Sequence, residues 1–101
     1  SKVFSATIEH LESILARVES RIAKVEADGG VVTESQGYVA EVKTHLGEAK
    51  TELAAFATIQ ITSTKASENF EAVRTAGAKV KTHIKEAHQS LMKAIRSLKN
   101  N

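Results

Sequence analysis

The sequence predicts an all-α fold, an antiparallel three-helix bundle in which residues 1–101 form a single domain. Apolar residues recur at spacings of three and four in three separate segments, which is the period of a helix face. Proline is absent, so no residue inside these segments lacks an N–H or interrupts a helix. Each helix alone would be marginal in water, so we expect short loops to fold the three faces onto a shared core.

The first predicted helix covers about residues 5–28. Its apolar positions alternate at spacings of four and three, as in a heptad pattern. Gly29 and Gly30 are expected to end it, because glycine adopts the positive φ that a helix C-terminus requires. The predicted face consists of Phe4, Ile8, Leu11, Leu15, Val18, Ile22 and Val25.

The second predicted helix covers about residues 34–57. Thr33 to Gln36 fits a capping box, in which the threonine hydroxyl and the glutamine amide satisfy free backbone N–H groups, with Ser35 as an alternative N-cap. We expect a break over residues 58–63, since β-branched and hydroxyl side chains favour caps and extended chain. The predicted face consists of Val39, Val42, Leu46, Ala49, Leu53 and Phe56.

The third predicted helix covers about residues 64–98. It would be roughly 50 Å long, against roughly 35 Å for each of the others, at about 1.5 Å per residue. One end is therefore expected to overhang, fray or dock on another molecule. A two-helix hairpin with a swapped third helix is the rival topology, and heptad faces leave the oligomeric state open. The predicted face consists of Phe70, Val73, Gly77, Val80, Ile84, Ala87, Leu91, Ile95 and Leu98.

Three glycines, Gly37, Gly47 and Gly77, lie inside predicted helices, where each costs about 1 kcal/mol relative to alanine. Gly77 falls on the apolar face. We interpret it as a point where the backbone of a neighbouring helix approaches closely, and the alternative is a flexible point or a groove for a partner.

Charge is distributed unevenly along the chain, although its net value is only +2. Residues 1–30 carry four basic and five acidic side chains, residues 31–63 carry two and four, and residues 64–101 carry eight and three. The basic side chains of the third helix share one side, about a quarter turn from its apolar face. They either pair with acidic flanks of the other helices or bind an anionic partner, such as nucleic acid, acidic lipid or polysaccharide. These candidate contacts are Arg74, Lys81, Lys85, His88, Arg96 and Lys99.

No pattern in the chain indicates catalysis, a cofactor or a metal. Nucleotide-binding, zinc-protease and serine-hydrolase motifs are absent, and no cysteine is present for a disulfide or a thiolate ligand. The inward Glu-x-x-His pattern of di-metal bundles is also absent. No two histidines stand four apart, the helical spacing that lets two imidazoles share a metal. The histidines are His10, His45, His83 and His88, of which the second and fourth flank apolar faces.

Membrane and nucleic-acid signals are also missing. No apolar run approaches the roughly 20 residues that span a bilayer. The basic helix has no interleaved aromatic residue for base stacking and no nucleic-acid motif, so no specific nucleic-acid binding is expected.

Two stretches, Ile14 to Gly29 (ILARVESRIAKVEADG) and Val80 to Lys99 (VKTHIKEAHQSLMKAIRSLK), resemble the first and last helices of a group of bacterial proteins. The group consists of small, exported, uncharacterised helical proteins rich in Ala, Glu, Lys and Arg. The resemblance implies a leader peptide and export from the cytoplasm, and it implies no activity. The start at Ser1 without methionine is consistent with an upstream segment.

We therefore expect a non-enzymatic structural or protein-interaction module that binds a protein partner or self-associates. Its expected contacts are the basic residues of the third helix and the segment from Met92 to Leu98. One alternative is binding of an anionic or amphipathic ligand, a lipid surface or nucleic acid, through the third helix, with the helices opening about their connections. The other is a periplasmic chaperone-like protein with an exposed concave apolar surface.

Overall fold

The predicted all-α three-helix bundle is confirmed. A computed structural model describes residues 2–62 and 66–99, and side chains for residues 2–56 and 71–99. Helices α1 (Lys2–Ala27), α2 (Thr33–Thr62) and α3 (Ala66–Lys99) pack along one another in a rod of 59 × 15 × 15 Å. The described residues contain no strand.

The turn after α1 follows the predicted glycines. Gly29 has a φ of +89°, and its N–H donates to the carbonyl of Glu26 at 3.0 Å. The Gly30 N–H donates to the carbonyl of Val25 at 2.9 Å, which completes a Schellman motif. A Cβ at Gly30 would lie 2.5 Å from Val25 Cγ1. Both glycines are therefore required by the geometry of this turn.

The start of α2 differs from the predicted capping box. The Gln36 N–H donates to the carbonyl of Val32 at 2.9 Å, so the helix begins one residue earlier and that N–H does not need the Thr33 hydroxyl. Val32 is buried in the core and anchors this end of the helix. Ser35, the alternative cap, is also fully buried, with its hydroxyl facing α3.

The predicted break over residues 58–63 is wrong for residues 58–62, where α2 continues to Thr62. Residues 57–62 contain neither glycine nor proline, and β-branched residues cost a helix only a few tenths of a kcal/mol each. Residues 63–65 lie outside the described part of the chain. Because α2 is longer than predicted, it accompanies α3 further. At the end of the rod that contains the start of α1, α2 extends beyond α1. Phe4, near the start of α1, lies beside Phe56, which is six residues before α2 ends.

The two interfaces of α3 differ in the size of their side chains. Ala49, Ala87 and Ala94 are fully buried between α2 and α3, and these two helices approach each other most closely. By contrast, α1 contributes Leu11, Leu15 and other large side chains, which hold it farther away. The buried face of α3 is therefore rotated from the predicted one towards its small residues, Ala76, Ser90 and Ala94.

Gly77 faces a side chain and not a neighbouring backbone. A Cβ placed there would lie 3.7 Å from Cε2 of Phe56, which is ordinary van der Waals contact. The close backbone approach predicted at this glycine is therefore not what the structure shows. The ring of Phe56 stands edge-on to that of Phe4, with 6.1 Å between centroids, so one aromatic pair joins the start of α1 to the α2–α3 hairpin.

Candidate functional site

The basic residues predicted on α3 are all exposed. None of the five lysines and arginines in this set forms an ion pair with a carboxylate among the described side chains. Arg96 Nε donates a hydrogen bond within its own helix, to the carbonyl of Met92 at 3.3 Å. Among the described side chains, the lysine–carboxylate pairs between helices join α1 to α2, so they do not neutralise this side of α3.

A groove between α1 and α3 brings part of this basic set next to apolar side chains. It encloses about 480 Å³. Lys81, Lys85 and His88 line it from α3, and the 3–4 spacing of the same flank continues to Arg96 and Lys99. Arg74 is separate from them, because it lies in a depression beside Glu52 and Glu71.

Helix α1 supplies a second row of basic residues that sequence analysis missed. Thr7, His10 and Ile14 line the groove, and their helical spacing continues along the same flank. The next positions on that flank are basic and exposed: Arg17, Arg21 and Lys24. We call this whole surface the basic groove, comprising Arg17, Arg21 and Lys24 of α1 and Lys81, Lys85, His88, Arg96 and Lys99 of α3.

Acidic residues on the opposite flank of α1 conceal this basic row when the charge of the helix is only summed. Glu12 pairs with Lys50 at 2.6 Å, and Glu19 pairs with Lys43 at 3.2 Å, both across the α1–α2 interface. A net charge of −1 for residues 1–30 averages this acidic flank with the basic one. Placing the charged residues of α1 by their angle around the helix axis, as was done for α3, separates the acidic flank from the basic one.

The floor of the basic groove is apolar. Phe4, Leu11 and Ile14 of α1 and Ile84 of α3 line it. Leu11 is buried, while the other three are half-buried and leave apolar surface within reach of a ligand. Val3, at the mouth of the groove, is 71% exposed.

The segment from Met92 to Leu98, also predicted as a contact, is largely part of the bundle. Ala94 is fully buried, and Met92, Ile95 and Leu98 pack against the core. Only Lys93 and Arg96 in this segment are exposed. The segment therefore offers little apolar surface to a partner. Arg96 continues the flank that lines the groove, whereas Lys93 lies beside the Tyr38 ring.

A second polar cluster lies at the α2–α3 interface. His45 Nδ1 is 3.3 Å from Glu48 Oε1, and His83 Nδ1 is 3.5 Å from Glu86 Oε1. Glu48 Oε1 is also 3.9 Å from His83 Nδ1, which links the two helices. The two imidazole side chains are only 21% and 20% exposed.

Sequence analysis treated these histidines singly and so missed the cluster. The signal was a repeated His-x-x-Glu motif, His45 to Glu48 and His83 to Glu86, with one copy on each of two adjacent helices. The di-metal pattern Glu-x-x-His has the reverse order. Each motif places its two side chains on one helix face.

Tyr38 stands apart from both surfaces. Its hydroxyl donates to Glu34 Oε1 at 3.3 Å, and the negative charge of that carboxylate raises the pKa of the Tyr38 phenol above its ordinary value. Lys93 Nζ lies 5.9 Å from the centroid of the Tyr38 ring, within range of a cation–π contact.

Comparison of the chain with protein-family models, curated protein sequences and solved structures gave no significant match. Among the described residues, no helix has the length and apolar character needed to cross a bilayer.

Proposed function

We propose that this chain is a non-enzymatic protein-interaction module that binds an acidic amphipathic helix of a partner protein in the basic groove. The observation that supports it most directly is the combination of exposed basic side chains, free of described ion pairs, with a half-buried apolar floor. A helix that binds in a groove uses apolar anchors one turn apart and places its polar flanks at the rim.

The shape of the groove suits a helix. Its α1 side from Val3 to Ile14 extends for roughly 17 Å, or about three helical turns, at about 1.5 Å per residue. A fourth helix lying along α1 and α3 would cover Phe4, Ile14 and Ile84 and convert the bundle from three helices to four. Acidic residues on its α3 side would face Lys81 and Lys85, and acidic residues at its end beyond Ile14 would reach Arg17 and Arg21.

The distribution of charge distinguishes this groove from the other two. Glu12 and Glu19 stand along the α1–α2 interface, and Glu48 and Glu86 along the α2–α3 interface. Those carboxylates lie beside lysines or histidines, so the two surfaces offer an acidic partner little net positive charge. The basic groove offers exposed cations without such partners, and charge therefore favours it as the site. Among the described side chains, the exposed large hydrophobic ones are Val3, near the start of α1, and Val31, in the connection between α1 and α2. That arrangement does not favour the concave surface of a chaperone.

A titration with a designed probe tests the proposal. The probe is a fluorescently labelled peptide of about 18 residues, with leucine at 3–4 spacing, glutamate on the two flanks of that face and alanine on the outer face to favour a helix. Binding is measured by anisotropy against a scrambled peptide of the same composition. We expect saturable binding to the helical probe only, which weakens as salt is added because the rim contacts are exposed.

Two double variants of the same net charge locate the binding surface. Lys81→Glu with Lys85→Glu reverses two charges in the basic groove, and Lys79→Glu with Lys93→Glu reverses two exposed charges elsewhere on α3. The first is expected to weaken binding at least about tenfold, equivalent to about 1.4 kcal/mol, and the second to change it little. Equal effects of the two pairs, or equal binding of both peptides, would contradict the proposal.

A membrane surface is the competing anionic partner. Flotation with vesicles containing anionic lipid, beside neutral vesicles, separates the two possibilities. Recovery of the protein with anionic vesicles, together with no binding of the helical peptide, would replace the proposed partner by a lipid surface.

A further inference from the structure

We propose that the two His-x-x-Glu motifs form a binding site for one divalent transition-metal ion, best suited to Zn²⁺, at the α2–α3 interface. The ligands are His45 and Glu48 from α2 and His83 and Glu86 from α3. This site is independent of the basic groove, which lies between α1 and α3.

The antiparallel register of α2 and α3 brings the two motifs together. Ser35 lies opposite Ser97 near one end of the interface, and Phe56 lies opposite Gly77 towards the other. Between these points the same register sets Glu48 opposite His83 and His45 opposite Glu86. Each histidine therefore meets the carboxylate of the other motif as well as its own.

The separations match those of a metal's ligand shell. With metal–ligand distances of about 2.0–2.1 Å, two ligands of a tetrahedral ion lie about 3.3 Å apart. The three measured nitrogen–oxygen separations are 3.3, 3.5 and 3.9 Å. Ligand atoms of His45, His83 and Glu86 all lie within 4.8 Å of one another. Glu48 and Glu86 have side chains that are 48% and 43% exposed, so their carboxylates have room to rotate towards a bound ion.

The imidazole nitrogens lack the partners that a purely structural cluster would give them. Nδ1 of His45 and Nδ1 of His83 are buried, and neither has a hydrogen-bond partner among the described residues. The nearby carboxylate oxygens are close in distance but lie outside hydrogen-bond geometry. Buried polar atoms are nearly always paired, so two unpaired nitrogens converging on two carboxylates indicate a ligand that all four groups share.

The chemistry of the donor set selects the class of metal. Two imidazole nitrogens and two carboxylate oxygens suit Zn²⁺, whereas Mg²⁺ and Ca²⁺ prefer oxygen ligands alone. The cluster also borders a surface depression lined by Gly47, Glu48, Glu52 and His83, which gives an ion a path from solvent.

Zinc titration of the full chain, followed by calorimetry, tests the site. We expect one Zn²⁺ per chain, with Mg²⁺ failing to compete, and an increase in melting temperature that grows with Zn²⁺ concentration. Substituting Co²⁺ is expected to give the strong visible absorption of tetrahedral coordination. An absence of stoichiometric binding in the wild-type chain would overturn the proposal.

The four histidines of the chain supply matched variants. His45→Gln and His83→Gln are each expected to weaken Zn²⁺ binding by more than about 100-fold, because even outer-shell partners contribute about 10–100-fold. His10→Gln with His88→Gln, which removes the two histidines outside the cluster, is expected to leave it unchanged. Circular dichroism of each metal-free variant verifies folding, and Glu48→Gln provides a second test if a histidine variant unfolds. Loss of binding in the control, or full binding in the cluster variants, would overturn the proposal.

Discussion

The hydroxyl of Ser35 lies 2.9 Å from that of Ser97 and donates a hydrogen bond across the interface between the start of α2 and the end of α3. Ser35 is fully buried, so this polar contact lies inside the packed interface between α2 and α3. It lies at one end of the antiparallel pairing that brings the two His-x-x-Glu motifs opposite each other.

Ser35→Ala is expected to lower the free energy of unfolding by about 1 kcal/mol, the net value of one intramolecular hydrogen bond. Chemical denaturation measures this change. Ser20→Ala, at an exposed position of α1, is the control and should have almost no effect. Equal effects of the two substitutions would show that the buried hydroxyl does not stabilise the interface.

Close packing of α2 on α3 depends on small side chains. Ala87→Leu adds three carbon atoms at a fully buried position, and we expect a loss of about 1–3 kcal/mol or more because α2 must move away. Ala40→Leu places the same side chain on the exposed face of α2 and should be tolerated. Thermal denaturation compares the two variants. An Ala87→Leu protein as stable as the wild type would contradict the close packing of α2 on α3.

Two glycines of opposite character give opposite predictions. Gly37→Ala is expected to stabilise the protein by about 1 kcal/mol, since no atom lies within 4 Å of the added Cβ and alanine favours the helix. Gly29→Ala is expected to destabilise it by about 1 kcal/mol, because φ is +89° there. Denaturant midpoints measure both changes. If the two substitutions changed the stability in the same direction, the assigned turn at Gly29 would be contradicted.

The charge of Glu34 sets the titration of Tyr38, the chain's only tyrosine. Because the folded pKa of Tyr38 is raised, the neutral phenol is favoured in the fold. Its contribution to stability is present below about pH 10, the unfolded value, and is lost as pH rises through the folded pKa. Glu34→Gln is expected to lower the pKa of Tyr38, as followed by phenolate absorbance. Glu9→Gln, on α1, should leave the titration unchanged, and an unchanged titration in Glu34→Gln would refute the assigned cause.

The fold was predictable because its main determinant is local. Apolar spacing defined the three helices, and Gly29 and Gly30 defined the turn between the first two. The end of α2 was not predictable from residue preferences, because small helix penalties at residues 58–62 do not end a helix without glycine or proline. Which face of α3 is buried depends on its contact with the other helices and could not be predicted from α3 alone. Ser90 and Ala94 are buried there, whereas the apolar pattern favoured larger side chains.

The candidate sites were predictable only in part. Arrangement by helical angle identified the basic residues of α3, including Lys81, Lys85 and His88. Net charge per segment concealed Arg17 and Arg21, because the same helix carries carboxylates on its other flank. The His/Glu cluster depends on the register between α2 and α3, which no single helix reveals.

A nitrogen–proton NMR titration shows residue by residue whether the basic groove is the binding surface. The labelled protein is titrated with the same acidic amphipathic peptide. We predict that amide shifts concentrate along the groove, from Val3 to Lys24 on α1 and from Lys81 to Lys99 on α3. Shifts concentrated on the outer face of α2, or a spectrum that does not change, would contradict the claim.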